Sequence, residues 1–255
     1  MEPLATWIVA LILSVAPVGR ITYKHSVETR EETETRYRAI ADDLVNIVYD
    51  PEMTPLFSGP YGRTKTLLLL VSIFNHESDF RKDVDLGVGP KARGDAQQSW
   101  CLGQVNLGEI DKHGQQKQRI YVAENGHFAW AKKDDPRGWS GPDLVQDRTK
   151  CIRAVISMVR TSLSACSRHL PDHRLSLYAS GECGNYGAGT DSDPMLTPGM
   201  VASEKRIKLA KKLFEKNRKL IQKDEAILAA IQKDKASKLN AGAPSARPPL
   251  MASTP

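Results

Sequence analysis

A mainly helical fold is predicted by three segments. Thr64 to Glu77 is apolar nearly all round, Pro142 to Leu170 carries apolar residues at helical spacing, and Arg38 to Tyr49 repeats that period. Between Ser78 and Gly141 the pattern dissolves into Gly, Asp and Gln with short apolar patches, and no convincing period-2 strand stands out. Such a stretch reads as loops and short helices around a groove.

Taken in order, Leu4 to Val18 is apolar enough to imitate the core of a secretory signal. Glu2 is acidic where a signal carries Lys or Arg, Pro17 follows Ser-Val-Ala where cleavage would fall, and the run is too short to span a membrane. A buried first helix over Pro3 to Ala16 is therefore expected, with a signal segment as the alternative. A charged stretch, Tyr23 to Arg36, leads into the second helix, where Ile40, Leu44, Ile47 and Val48 recur at helical spacing. Pro51, Pro55 and Ser58-Gly59-Pro60 mark a loop before the apolar helix.

The long helix over Pro142 to Leu170 places Cys151, Ile152, Val155, Ile156, Val159, Leu163 and Cys166 on one face, and Pro171 stops it. Leu175 to Gly189 follows as a short apolar start and a Gly-rich turn. Ser203 is placed to cap a last helix, with Ile207, Ala210, Phe214, Ile221, Leu228 and Ile231 spaced three to seven apart. Beyond Phe214 lysines crowd the surface and the apolar stripe thins, so this part projects or docks on a partner. Ala241 to Pro255, rich in Pro, Ala and Ser, reads as a flexible tail. The expected division is one domain over residues 1–214, a lysine-rich helix over 215–240 and a tail over 241–255.

The net charge of +6 favours an anionic partner: nucleic acid, a membrane surface or an acidic wall polymer. The four cysteines, at 101, 151, 166 and 183, form no Cys-x-x-Cys, and His76, His113, His127, His169 and His173 show no ligand spacing. Neither a metal nor another cofactor is expected. Cys151 and Cys166 fall in one helix, roughly 22 Å apart at about 1.5 Å per residue, and cannot bond to each other. If disulfides form, each of these two pairs with Cys101 or Cys183; four buried thiols are the alternative.

Glu77 ends the wholly apolar helix. A carboxylate there faces the negative end of the helix dipole in a poorly solvated setting, and both effects raise its pKa. A carboxyl that keeps its proton near neutrality is suited to protonating a glycosidic oxygen. The plainer reading is the first polar residue past a core helix.

Asn75-His76-Glu77-Ser78-Asp79-Phe80 resembles the Glu-Ser signature of the soluble lytic transglycosylases and goose-type lysozymes. Ser99-Trp100-Cys101-Leu102-Gly103-Gln104-Val105-Asn106 is similar to that family's Gly-Leu-Met-Gln-Ile block, and Leu177-Tyr178-Ala179-Ser180-Gly181 to its Ala-Tyr-Asn-Ala-Gly. The three occur in the family's order between Thr64 and Gly181. Cys101 stands where the family has Gly, Gly103 where it has Met, and Ala179 where it has Asn.

The resemblance implies a lysozyme-like domain with a substrate groove, in which Glu77 is acid and base, Gln104 binds a sugar substituent, and Tyr178 hydrogen-bonds and positions the Glu. Ser78, Asn106 and Gly181 are carried over as further substrate-binding positions. The implied reaction is cleavage of the β-1,4 bond between N-acetylmuramic acid and N-acetylglucosamine in peptidoglycan. A transglycosylase needs one Glu, because the muramic C6 hydroxyl attacks and leaves a 1,6-anhydro ring. A hydrolase needs a second carboxylate, about 6.5–9.5 Å away to activate water or about 5–5.5 Å away as nucleophile. Asp83, Asp85 and Asp95 are in reach by sequence, with Asp85 and Asp95 as the favoured candidates and the single-Glu reading preferred.

Trp100, Trp130 and Trp139 offer flat faces for sugar rings, or fill core space, the second being favoured for Trp100. Proteins of this kind work at the bacterial wall, as virion-associated or lysis enzymes of phage or as periplasmic or secreted remodelling enzymes, and the N-terminus favours the phage case. A wall-binding or virion structural module on the same fold is the rival reading. A nucleic-acid binder has only charge behind it.

Overall fold

The computed structural model describes residues 2–19, 24, 27–109, 116–183 and 196–241, with side chains from Pro3 to Gln222 within those ranges. It is mainly helical, with eight α-helices and two small antiparallel ladders among the described residues. His113, Gly189 and the tail from Gly242 lie outside these residues, as do the side chains of Leu228 and Ile231.

Helix α1 (Glu2–Val15) buries Leu4, Ala5, Ile8, Leu11 and Ile12 against α2 (Arg30–Val48). Tyr37 of α2 donates its hydroxyl to the Ala16 carbonyl at 3.1 Å. The second helix starts well before Arg38, inside the charged stretch, because Thr29 and Glu32 form a reciprocal capping box that satisfies its first amide groups. Helix α3 (Gly62–Ser78) runs through the centre of the domain, with Leu67 to Val71, Ile73 and Phe74 all at most 2% exposed. No helix among the described residues is long and apolar enough to cross a membrane.

The end of α3 is fixed by two successive left-handed residues, Asp79 (φ 51°) and Phe80 (φ 52°). That conformation costs an L-residue about 1–2 kcal/mol. Here it turns Phe80 into the core, where its ring meets Phe74 and Tyr37 edge-on at 6.1 and 5.8 Å. Two such residues cost about 2–4 kcal/mol together, and burying a Phe side chain returns about 1.5–3 kcal/mol, which offsets most of the cost of the turn after Glu77.

The segment expected to lack strands contains two hairpins: β1 (Ser99–Trp100) with β2 (Val105–Asn106), and β3 (Arg119–Val122) with β4 (Phe128–Ala131). The second turns through Asn125-Gly126, with Gly126 at φ 76°, a hairpin signal in the sequence. The long helix expected over Pro142 to Leu170 is two. Helix α5 (Gly141–Gln146) ends at Asp147, whose extended backbone (φ −124°, ψ 95°) breaks the helical path. Its carboxylate caps the Thr149 and Lys150 amides at the start of α6 (Arg148–Ala165).

After the short α7 (Ser176–Ser180), α8 (Pro198–Ala241) begins five residues before Ser203, the expected cap. Thr197 takes the capping role, its Oγ1 accepting from Met200 N at 3.3 Å. Ser203 instead sits buried inside the helix, donating to the Asp172 carbonyl (2.6 Å) and accepting from Leu175 N (2.9 Å). The chain divides into two compact units, Met1–Lys216 and Asn217–Pro255.

Cys101–Cys151 and Cys166–Cys183 are disulfide-bonded, the arrangement in which the two helix cysteines find separate partners. A small charge network joins α2, α6 and the four-residue α4 (Lys82–Asp85). Arg148 donates to both oxygens of Asp85 at 2.9 Å and to Asp43 at 2.6 Å, while Arg36 pairs with Glu28 at 2.6 Å and lies 3.7 Å from Asp85.

Candidate active site

Glu77 lies in the last turn of α3 and lines a cleft of about 590 Å³ together with Asp95, Gln104, Asn106, Phe128, Trp130 and the α7 segment Leu177 to Gly181. The three sequence motifs therefore converge on one concave surface. The Glu77 side chain is 17% exposed, and its carboxyl is held above the ordinary carboxylate range. Burial is the main cause, and the Asp95 charge acts in the same direction. Arg206 opposes them, donating from Nε (3.0 Å) and from the terminal guanidinium nitrogen (2.5 Å) to Glu77 Oε1. The net effect is a raised proton affinity for the Glu77 carboxyl.

Tyr178 is placed by α7, with its amide donating to Ser162 Oγ at 3.1 Å. Its hydroxyl donates to the Gly103 carbonyl at 2.6 Å rather than to Glu77, so the hydrogen bond expected between them is made by Arg206 in its place. Burial, and then the charge of Glu77, push the Tyr178 hydroxyl well above its usual pKa, which keeps it a neutral donor. It ties α7 to the Gly103-Gln104 segment across the cleft.

That segment is tightly constrained at Cys101 and Gly103. Cys101 lies at φ 58°, in the left-handed region a glycine would favour, and is disulfide-bonded to Cys151. At Gly103 a Cβ would lie 2.2 Å from Val155 Cγ2, so no side chain has room there. Gln104, also left-handed at φ 47°, accepts from Gly94 N at 2.8 Å and donates to the Cys101 carbonyl at 3.1 Å. It lines the cleft while holding the Ala92 to Gln104 loop together.

The expected aspartates separate. Asp95 lines the cleft, accepting from Ser99 Oγ (2.6 Å) and Asn106 Nδ2 (3.2 Å), and begins three consecutive left-handed residues, Asp95, Ala96 and Gln97. Local strain of this kind is concentrated where function requires a fixed geometry. Asp85 is instead saturated by Arg148 and Arg36, and Asp83 by Arg81 at 2.8 and 3.0 Å. Neither lines the cleft. Ser78 also turns away, donating to the Phe74 carbonyl from a buried position, as a Ser in the last helical turn can. Gly181 lies on the rim, ending α7 at φ 81°.

Of the tryptophans, Trp130 is 45% exposed on the cleft wall and packs edge-on against Phe128 at 5.4 Å. Trp100 is core: an added Cβ at Gly141 would stand 2.0 Å from its ring. Trp139 lies outside the cleft lining and bridges Ile120 at the edge of the β3–β4 hairpin. His76, also outside the cleft, has its pKa lowered by burial and then by the Arg206 charge. Among the described residues no group of His, Cys, Asp and Glu is arranged to hold a metal ion.

Arg206, the cation in contact with Glu77, does not stand out in the sequence, because it reads as one more cation in a lysine-rich helix. The available signal was its place: three residues after Ser203 and one before Ile207, on the stripe that packs on the domain. Phe128 and Met158 also line the cleft without belonging to any of the three motifs. No protein-family model matches the chain, and comparisons with curated proteins and with solved structures give no match either.

Proposed function

We propose that this protein cleaves the β-1,4 bond between N-acetylmuramic acid and N-acetylglucosamine in bacterial peptidoglycan, with Glu77 as general acid and base. The observation that carries the reading is a largely shielded carboxyl with raised proton affinity in the lining of a polar cleft that also holds the Gln104 and Tyr178 segments. Two disulfides suit an enzyme that works outside the reducing cytoplasm, at the wall.

The preferred course is that of a lytic transglycosylase. Glu77 gives its proton to the glycosidic oxygen as the C1–O bond breaks, the muramic C6 hydroxyl bonds to C1, and that hydroxyl's proton returns to the Glu77 carboxylate. Asp95 supports a second course, hydrolysis, as the expected aspartate that shares the cleft with Glu77. Mass spectrometry of the products from purified sacculi tests both. Products ending in 1,6-anhydromuramic acid, with Asp95→Asn retaining most of its turnover, are expected. Reducing muramic ends, with loss of turnover in folded Asp95→Asn, would establish the hydrolase. No cleavage by the wild-type protein would overturn the glycosidase reading.

Trp130 is assigned to stacking on a sugar ring, since half its surface is open on the cleft wall. An aromatic contact of about 1 kcal/mol is worth roughly fivefold in affinity. Trp130→Ala should therefore raise KM by about that factor, with kcat and Tm nearly unchanged; a lowered Tm with unchanged KM would place the ring in the hairpin's packing instead.

A further inference from the structure

Arg206 is anchored on both sides. Its own carbonyl accepts from the buried Ser72 hydroxyl of α3 at 2.6 Å, and Ser203, three residues earlier, bonds to the Asp172 to Leu175 segment. The guanidinium, in a side chain 9% exposed, is thus presented to Glu77 by a backbone fixed to the same helix that carries Glu77. Both of its contacts fall on one oxygen, Oε1, and among the described residues Oε2 receives no hydrogen bond.

Resting on the glycosidase reading above, we propose that Arg206 is the positioning residue of this site: it grips Glu77 by Oε1, so that Oε2 carries the proton to the glycosidic oxygen and takes one back from the attacking hydroxyl. The asymmetry matters chemically. A carboxyl free to rotate presents its proton on either oxygen, whereas one held at Oε1 by two donors keeps its proton on the other. The contact also strengthens when the proton leaves, because a neutral acceptor becomes a carboxylate facing a guanidinium. An interaction stronger after transfer than before it lowers the barrier rather than only binding the ground state.

The groups facing Glu77 are Arg206 from α8, Asp95 from the loop before β1, and Tyr178 from α7. Of these only Arg206 favours the ionised form, opposing burial and Asp95. On the far side Arg206 faces His76, which its charge holds towards the neutral form.

The test is the pH dependence of kcat for the full-length wild-type, Arg206→Gln and Arg206→Lys proteins on purified peptidoglycan. Arg206→Gln should lower kcat by about 10²-fold and move the alkaline limb up by about one pH unit or more, because the opposing positive charge is gone. Arg206→Lys should keep the limb near its wild-type position yet lose about tenfold in kcat, since an ammonium restores charge but not the fork. An Arg206→Gln protein with wild-type kcat and an unmoved limb would reduce Arg206 to a structural residue. Should Arg206→Gln fail to fold, an Arg206→Lys protein matching wild type in kcat would overturn the proposal equally. Wild-type protein inactive at every pH would instead remove the glycosidase reading, and the positioning role with it.

Discussion

Glu77→Gln is expected to remove cleavage of purified peptidoglycan, a loss of about 10²–10⁴-fold or more, while leaving the cooperative thermal transition in place. The amide keeps the side chain's size and an acceptor for Arg206, and it takes away the proton the reaction transfers. The same substitution has a signature in stability. The Glu77 carboxyl is raised by burial, so the folded protein holds this proton more tightly than the unfolded chain does. Its contribution to stability is fully present below the ordinary carboxylate range and is lost as pH rises through the raised value. The Gln variant lacks that loss, so its Tm should fall less than that of wild type between mildly acidic and neutral pH. A variant that still cleared peptidoglycan at the wild-type rate would remove Glu77 from the chemistry, and parallel Tm profiles for the two proteins would show that burial does not hold the proton.

What was legible in the sequence is what a strong local pattern specifies. The run from Leu67 to Phe74 permits only a helix buried on all sides, and a Glu at its end is conspicuous for that reason. The two helix cysteines were separable by helix geometry alone. The hairpins were missed because β1 and β2 are two residues each, too short for alternation to register, and because β3 and β4 are half-buried. The break at Asp147 was hidden by apolar spacing that continues across it, although Ser140 with Asp143, and then Asp147 itself, each offered a capping side chain. Long-range partners were not legible at all: Arg206 reaches Glu77 across 129 positions, and no local pattern encodes such a pairing.

The aspartates show the same limit most sharply, and they give the second large effect. Asp85 and Asp95 lie ten residues apart in one loop-rich stretch and look equivalent as candidate partners for Glu77. The fold separates them by their cations. Asp85 has a side chain 2% exposed and accepts from Nε and one terminal nitrogen of Arg148, with Arg36 close by. Removing one member of a buried pair strands the other's charge, which costs about 3–5 kcal/mol. Arg148 keeps Asp43, and Arg36 keeps Glu28, so the lower end applies. Asp85→Asn should therefore destabilise the domain by about 3 kcal/mol, lowering Tm by roughly 6–12 °C, with turnover per folded molecule unchanged. Asp95→Asn, on the exposed cleft loop, should shift stability by less than about 1 kcal/mol. Thermal and chemical denaturation of both variants decides the matter: comparable stability for the two, with Asp85→Asn inactive while folded, would return Asp85 to the candidate second carboxylates and make the Arg148 contact incidental.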